Sequence, residues 1–61
     1  MFKVYYSSWM SSRVRIGAYG TLQEAMDAMN AEMASWYIHP IDVEFFITDK
    51  NGHRKVTQGW N

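Results

Sequence analysis

The stretch TLQEAMDAMNAEMASW, residues 21–36, decides the architecture. Thr21 and Glu24 stand three apart, as in a capping box, where the hydroxyl accepts from the third helical N–H and the carboxylate reaches back to the cap. Leu22, Ala25, Met26, Met29, Met33 and Trp36 recur at spacings of three and four, which puts them on one stripe of a helix. Gln23, Glu24, Asp27, Asn30 and Glu32 occupy the opposite side. Ala28, Ala31 and Ala34 add helix propensity at little entropic cost. Pro40 cannot continue the helix and biases His39 toward extended backbone, so the helix is expected to end near Trp36. Met at helical spacing also suits an adaptable binding groove, but Met26, Met29 and Met33 lie on the apolar stripe and read as core.

Outward from the helix, the period changes from 3.6 to two. Upstream, Phe2, Val4 and Tyr6 alternate with Lys3, Tyr5, Ser7 and Trp9, which predicts a strand over Phe2–Trp9. Met10, Ser11 and Ser12 read as a turn. Arg13–Ala18 reads as a second strand, with Val14, Ile16 and Ala18 on one face and Arg13 and Arg15 on the other. Downstream, Ile41–Thr48 alternates again, and Asn51-Gly52 is a dipeptide favoured where a hairpin needs positive φ. A two-residue turn there pairs Ile47 with Val56 and Phe46 with Thr57. A three-residue turn with a bulge sets Ile47 beside Lys55 instead, so the apolar pairing favours the shorter turn. The expected fold is α+β, in the order ββαββ, with antiparallel strands and one helix on one face; whether the strands form one sheet, and in what order, is left open.

One helix covers one sheet face. The buried set is then Phe2, Val4, Tyr6, Val14, Ile16, Val43, Phe45, Ile47 and Val56. The opposite face carries Lys3, Tyr5, Trp9, Arg13, Arg15, Asp42, Glu44, Phe46, Lys55 and Thr57. Tyr5, Trp9 and Phe46 among Arg13, Arg15 and Lys55 form the candidate binding surface. Rings among cations suit base stacking and phosphate contact. Trp, Tyr and Arg are equally the usual anchors of protein interfaces.

Charge separates these readings. Six basic and six acidic side chains give a formal net charge of zero, whereas a nonspecific nucleic-acid binder carries a basic excess to release counterions. With Asp42 and Glu44 placed on the same face, a protein partner is favoured, and single-stranded nucleic acid is the alternative. Three exposed rings on one face further predict a homodimer.

Sixty-one residues make one small domain that buries roughly 60% of the surface its unfolded chain exposes. Small domains usually gain support from disulfides, metals or association. The chain has no cysteine, and His39 and His53 stand without a third ligand, so neither a disulfide nor a structural metal is expected. No cofactor motif is present. Gly17 and Gly20 bracket a strand-to-helix junction, but without a third glycine or a Gly-Lys-Ser/Thr ending they read as a turn rather than a phosphate loop. No G-x-S-x-G elbow presents a nucleophile. His53 reads as a solvated turn residue, His39 as a loop residue, and Asp42 and Glu44 as cross-strand partners of Arg13, Arg15 and Lys55. Catalysis is therefore not expected. No apolar run approaches the roughly 18 residues of a membrane span, and no basic segment leads an apolar one at the N-terminus, so no membrane partner and a cytoplasmic location are expected.

Val14-Arg15-Ile16-Gly17-Ala18-Tyr19, with Thr21, Glu24 and Ala25, resembles half of the repeat in sporulation-related (SPOR) peptidoglycan-binding domains, a likeness that implies glycan binding. The whole ββαββ order, with T-x-x-E-A opening the helix and D-x-N-G near the end, is similar to small uncharacterised domains of bacteria and their phages. That resemblance implies no activity.

Overall fold

The computed structural model describes residues 1–10 and 12–60, so Ser11 of the expected first turn lies outside the described residues. Strands β1 (Phe2–Ser7) and β2 (Val14–Tyr19), helix α1 (Leu22–Ala34), and strands β3 (Glu44–Thr48) and β4 (Arg54–Gln58) follow one another along the chain. All four strands join one antiparallel sheet in the order β2-β1-β3-β4. The α+β, ββαββ expectation holds, and the central pair is β1 and β3.

The helix begins as its capping box dictates. The Glu24 amide donates to Thr21 Oγ1 at 3.1 Å, and the Thr21 amide donates to Glu24 Oε1 at 3.2 Å. It ends two residues before Trp36, because the Ser35 hydroxyl and amide both donate to the Glu32 carbonyl, at 2.7 and 3.1 Å. Trp36 leaves the helical path to pack edge-on against Tyr6 and Phe45, while its indole N–H donates to Glu32 Oε2 at 3.1 Å. Ala25 and Met29 are fully buried against Val4, Val43, Phe45 and Ile47, with Leu22, Met26 and Met33 alongside. The methionines of the stripe are core.

Two bulges modify the simple alternation. On β2, Val4 faces Gly17 but Tyr5 faces Arg15, so Ile16 is the extra residue. A bulge shifts every later side chain to the other face. Ala18, expected under the helix, therefore pairs with Lys3 on the open side, and Tyr19 pairs with Phe2 and joins the core. The Tyr19 ring folds back over Gly17: a Cβ there would stand 2.7 Å from the Tyr19 hydroxyl oxygen and 3.1 Å from its ring. The glycine before the helix thus makes room for a ring.

The second bulge reconciles the two hairpin registers weighed from the sequence. The Asp49 amide donates to the His53 carbonyl at 2.9 Å and the Gly52 amide to the Asp49 carbonyl at 3.0 Å. Lys50, Asn51 and Gly52 thus form a three-residue turn, with Gly52 at φ 83° where L residues are strained. The two-residue turn is corrected. Thr48 faces Arg54, Lys55 bulges out, and beyond it Ile47 faces Val56 and Phe46 faces Thr57 as expected. The apolar pairing survives because the bulge absorbs the additional turn residue.

Strand ends also differ from expectation. β1 stops at Ser7, where the Met10 amide turns back to the Ser8 hydroxyl at 3.3 Å. β3 begins at Glu44 rather than Ile41, because the Val43 amide donates to the Pro40 carbonyl at 3.2 Å and turns the chain through Ile41 and Asp42. No helix among the described residues is long and apolar enough to cross a membrane.

Asp49 organises the β3–β4 turn. Its Oδ1 accepts from the Asn51 and His53 amides at 2.9 and 3.0 Å. Its pKa is lowered, chiefly by the His53 hydrogen bond, with help from the Asn51 amide and the charges of His53 and Lys55 against an opposing desolvation. A depressed folded pKa adds stability that is complete above the ordinary aspartate value of about 3.9 and is lost as pH falls through the lowered one. The Asn51 and His53 amide resonances should accordingly titrate with a midpoint below that ordinary value. In Asp49→Asn this acid transition should disappear.

Candidate interaction face

The sheet face away from the helix is built around one cross-strand pair. Tyr5 and Phe46 stand directly opposite on β1 and β3, and their rings stack with centroids 5.3 Å apart and planes 22° off parallel. Arg13, just before β2, lays its guanidinium carbon 4.6 Å from the Tyr5 centroid and 5.5 Å from that of Phe46. From the other side Arg54 of β4 sits 4.0 Å from the Phe46 centroid and donates from Nη1 to Glu44 Oε1 at 2.6 Å. Phe46 is 2% exposed although no helix lies above it. Two guanidiniums, attracted to the ring quadrupole, and the stacked tyrosine cover it.

Of the expected binding residues, Tyr5, Arg13, Arg15 and Phe46 come together on this face, with Arg15 exposed opposite Tyr5. Trp9 does not join them: it is 81% exposed in the β1–β2 turn. Lys55 is the bulged residue, and its Nζ lies 3.9 Å from Asp49 Oδ2 at the hairpin end. Asp42, expected on the face, sits in the turn before β3. Arg54 is the residue that sequence reasoning missed. A two-residue turn gives it the wrong parity, whereas the Asp two before Asn-Gly, free to accept turn amides, was the available sign of the longer turn.

The electrostatics differ from the expected mixture. Among the described residues, Lys3, Arg13, Arg15 and Arg54 share the face with one carboxylate, Glu44, already paired to Arg54. Among the described residues Lys3, Arg13 and Arg15 have no ion-pair partner. A neutral chain thus presents one cationic face. Arg13 lies over both stacked rings and Arg54 over Phe46 alone, so Phe46 is buried while Tyr5 keeps partial exposure. A guanidinium lying flat on a ring keeps its N–H edge available for a bidentate acceptor.

The histidines stand apart from this face. His53 is exposed in the turn, 3.9 Å from Asp49. His39 stacks on Trp60 at 4.9 Å, and Trp60 also meets Trp36 and Phe45. Trp60 was readable in principle, since it continues the core-facing period of Val56 by four residues.

No family model, curated protein or solved structure matches the chain.

Proposed function

We propose that this chain is a small, non-catalytic interaction module that docks an acidic protein surface on its open sheet face. The observation that carries the reading is the arrangement of Arg13 and Arg54 over the Tyr5–Phe46 stack. Ring-backed guanidiniums are held in place before binding, so less side-chain entropy is lost when a carboxylate arrives. Lys3 and Arg15 widen the positive field, which steers an acidic partner and raises its association rate. Single-strand binding by base stacking is less well supported, because successive bases need several open rings in a row, and here Phe46 is buried and Trp9 stands off the face. The likeness to phage domains would make the partner a host protein, bound in the cytoplasm and thereby occluded or adapted.

Capture from a bacterial lysate with and without nuclease treatment, compared between wild type and Arg13→Glu/Arg15→Glu, tests the reading. Wild type should retain an acidic protein that elutes with salt, and the charge reversal should reduce retention at least about tenfold, since like charges now face each other. Retention that vanishes on nuclease treatment would assign the face to nucleic acid. Equal retention by both proteins would remove the face from the function.

A further inference from the structure

We infer that a second copy of this chain covers the end of the molecule formed by the β1–β2 turn and the α1–β3 loop. The register brings these segments together. Ser7 faces Glu44 and Tyr6 faces Val14, so β1 ends where β2 and β3 begin. Phe2 and Tyr19 mark the far end, where α1 starts; the helix returns along the sheet and delivers Trp36 onto Tyr6. The large apolar side chains left exposed among the described residues are Met1, Trp9, Met10, Tyr37, Ile38 and Ile41. All but Met1 belong to the two segments at this end.

Size and charge both point to self-association. Trp9 and Tyr37, the latter fully exposed, together with three aliphatic side chains offer on the order of 700 Å² of apolar surface. The largest patch on a typical monomer is about 300–600 Å², and each partner in a standard interface contributes about 800 Å². A twofold interface sets one patch against its own copy, so it must complement itself. The five side chains carry no charge, and Arg13 and Asp42, at the ends of the two segments, bring one charge of each sign rather than a like-charged cluster. The open sheet face would place Lys3, Arg13, Arg15 and Arg54 against the same cations. The dimer seam expected on that face therefore moves to the end of the molecule, leaving the face free. Trp36, next to Tyr37 in the chain, is fixed by its packing against Tyr6, Phe45 and Trp60.

Sedimentation equilibrium from roughly 1 μM to 1 mM tests this. Wild type should form dimers in that range. Trp9→Ser/Ile38→Ser and, separately, Tyr37→Ser/Ile41→Ser should each weaken dimerisation about 30-fold or more, the effect of removing a central anchor. These positions are solvent-exposed, so circular dichroism should show both variants folded; should one unfold, the other carries the test. Arg13→Glu/Arg15→Glu should leave the dimer constant within about threefold. A wild-type monomer throughout, dimers that survive the end variants unchanged, or dimers abolished by the arginine reversal alone would each overturn the inference.

Discussion

Phe45→Ala should lower the unfolding free energy by about 3–5 kcal/mol, the usual loss for a large buried ring. Phe45 of β3 is fully buried in the core beneath the helix. Its ring centroid lies 5.8 Å from Tyr6, 5.5 Å from Trp36 and 5.1 Å from Trp60, so truncation opens a cavity bordered by three rings that other elements hold in place. A chain of this length ordinarily holds about 3–9 kcal/mol in total. Between about a third and all of that margin would go, and the urea midpoint should fall in proportion. Near-ultraviolet circular dichroism should weaken, because the aromatic cluster loses its common contact. A midpoint within a few tenths molar of wild type would show that these rings repack freely and that the core lies elsewhere.

Phe46→Ala should cost nearly as much, about 3 kcal/mol, although Phe46 points away from the helix. Its burial comes from Tyr5 stacked beside it and from Arg13 and Arg54 laid over it. Removing the ring strands both guanidiniums above a void and cancels their attraction to its π-face. Arg54→Ala should cost only about 1 kcal/mol, the scale of an exposed cation–π contact together with a solvent-screened ion pair. Urea melts of the two variants separate the cases. If Phe46→Ala melts like wild type, the ring is a loosely held surface group and the face has no packed layer of its own.

Most of the fold was legible from local chemistry. Thr21 and Glu24 cap the helix as their spacing requires, and the Leu22–Met33 stripe faces the sheet. The period of two in Phe2–Tyr6 and Val43–Ile47 correctly separates the covered face from the open one. What the pattern did not show were the bulges, since alternation by itself assumes that no residue is skipped. At Ile16 the slip exchanges Ala18 for Tyr19 beneath the helix, and at Lys55 it exchanges Lys55 for Arg54 on the open face. Each bulge follows from a local demand: room for the Tyr19 ring over Gly17, and a turn closed by Asp49. The structure brings Tyr5, Arg13, Arg15 and Phe46 of the candidate surface together on one face. Its charge balance was not readable, because it depends on which of two adjacent cations the hairpin turns outward and on where Asp42 falls.

The cationic open face can be probed directly by amide-resolved NMR during titration with a poly-glutamate peptide at low ionic strength. Shifts should concentrate at Lys3, Tyr5, Arg13, Arg15 and Arg54, fade as salt is added, and leave Leu22–Ala34 unchanged. Shifts centred on the helix, or none on the open face at saturating peptide, would contradict the account.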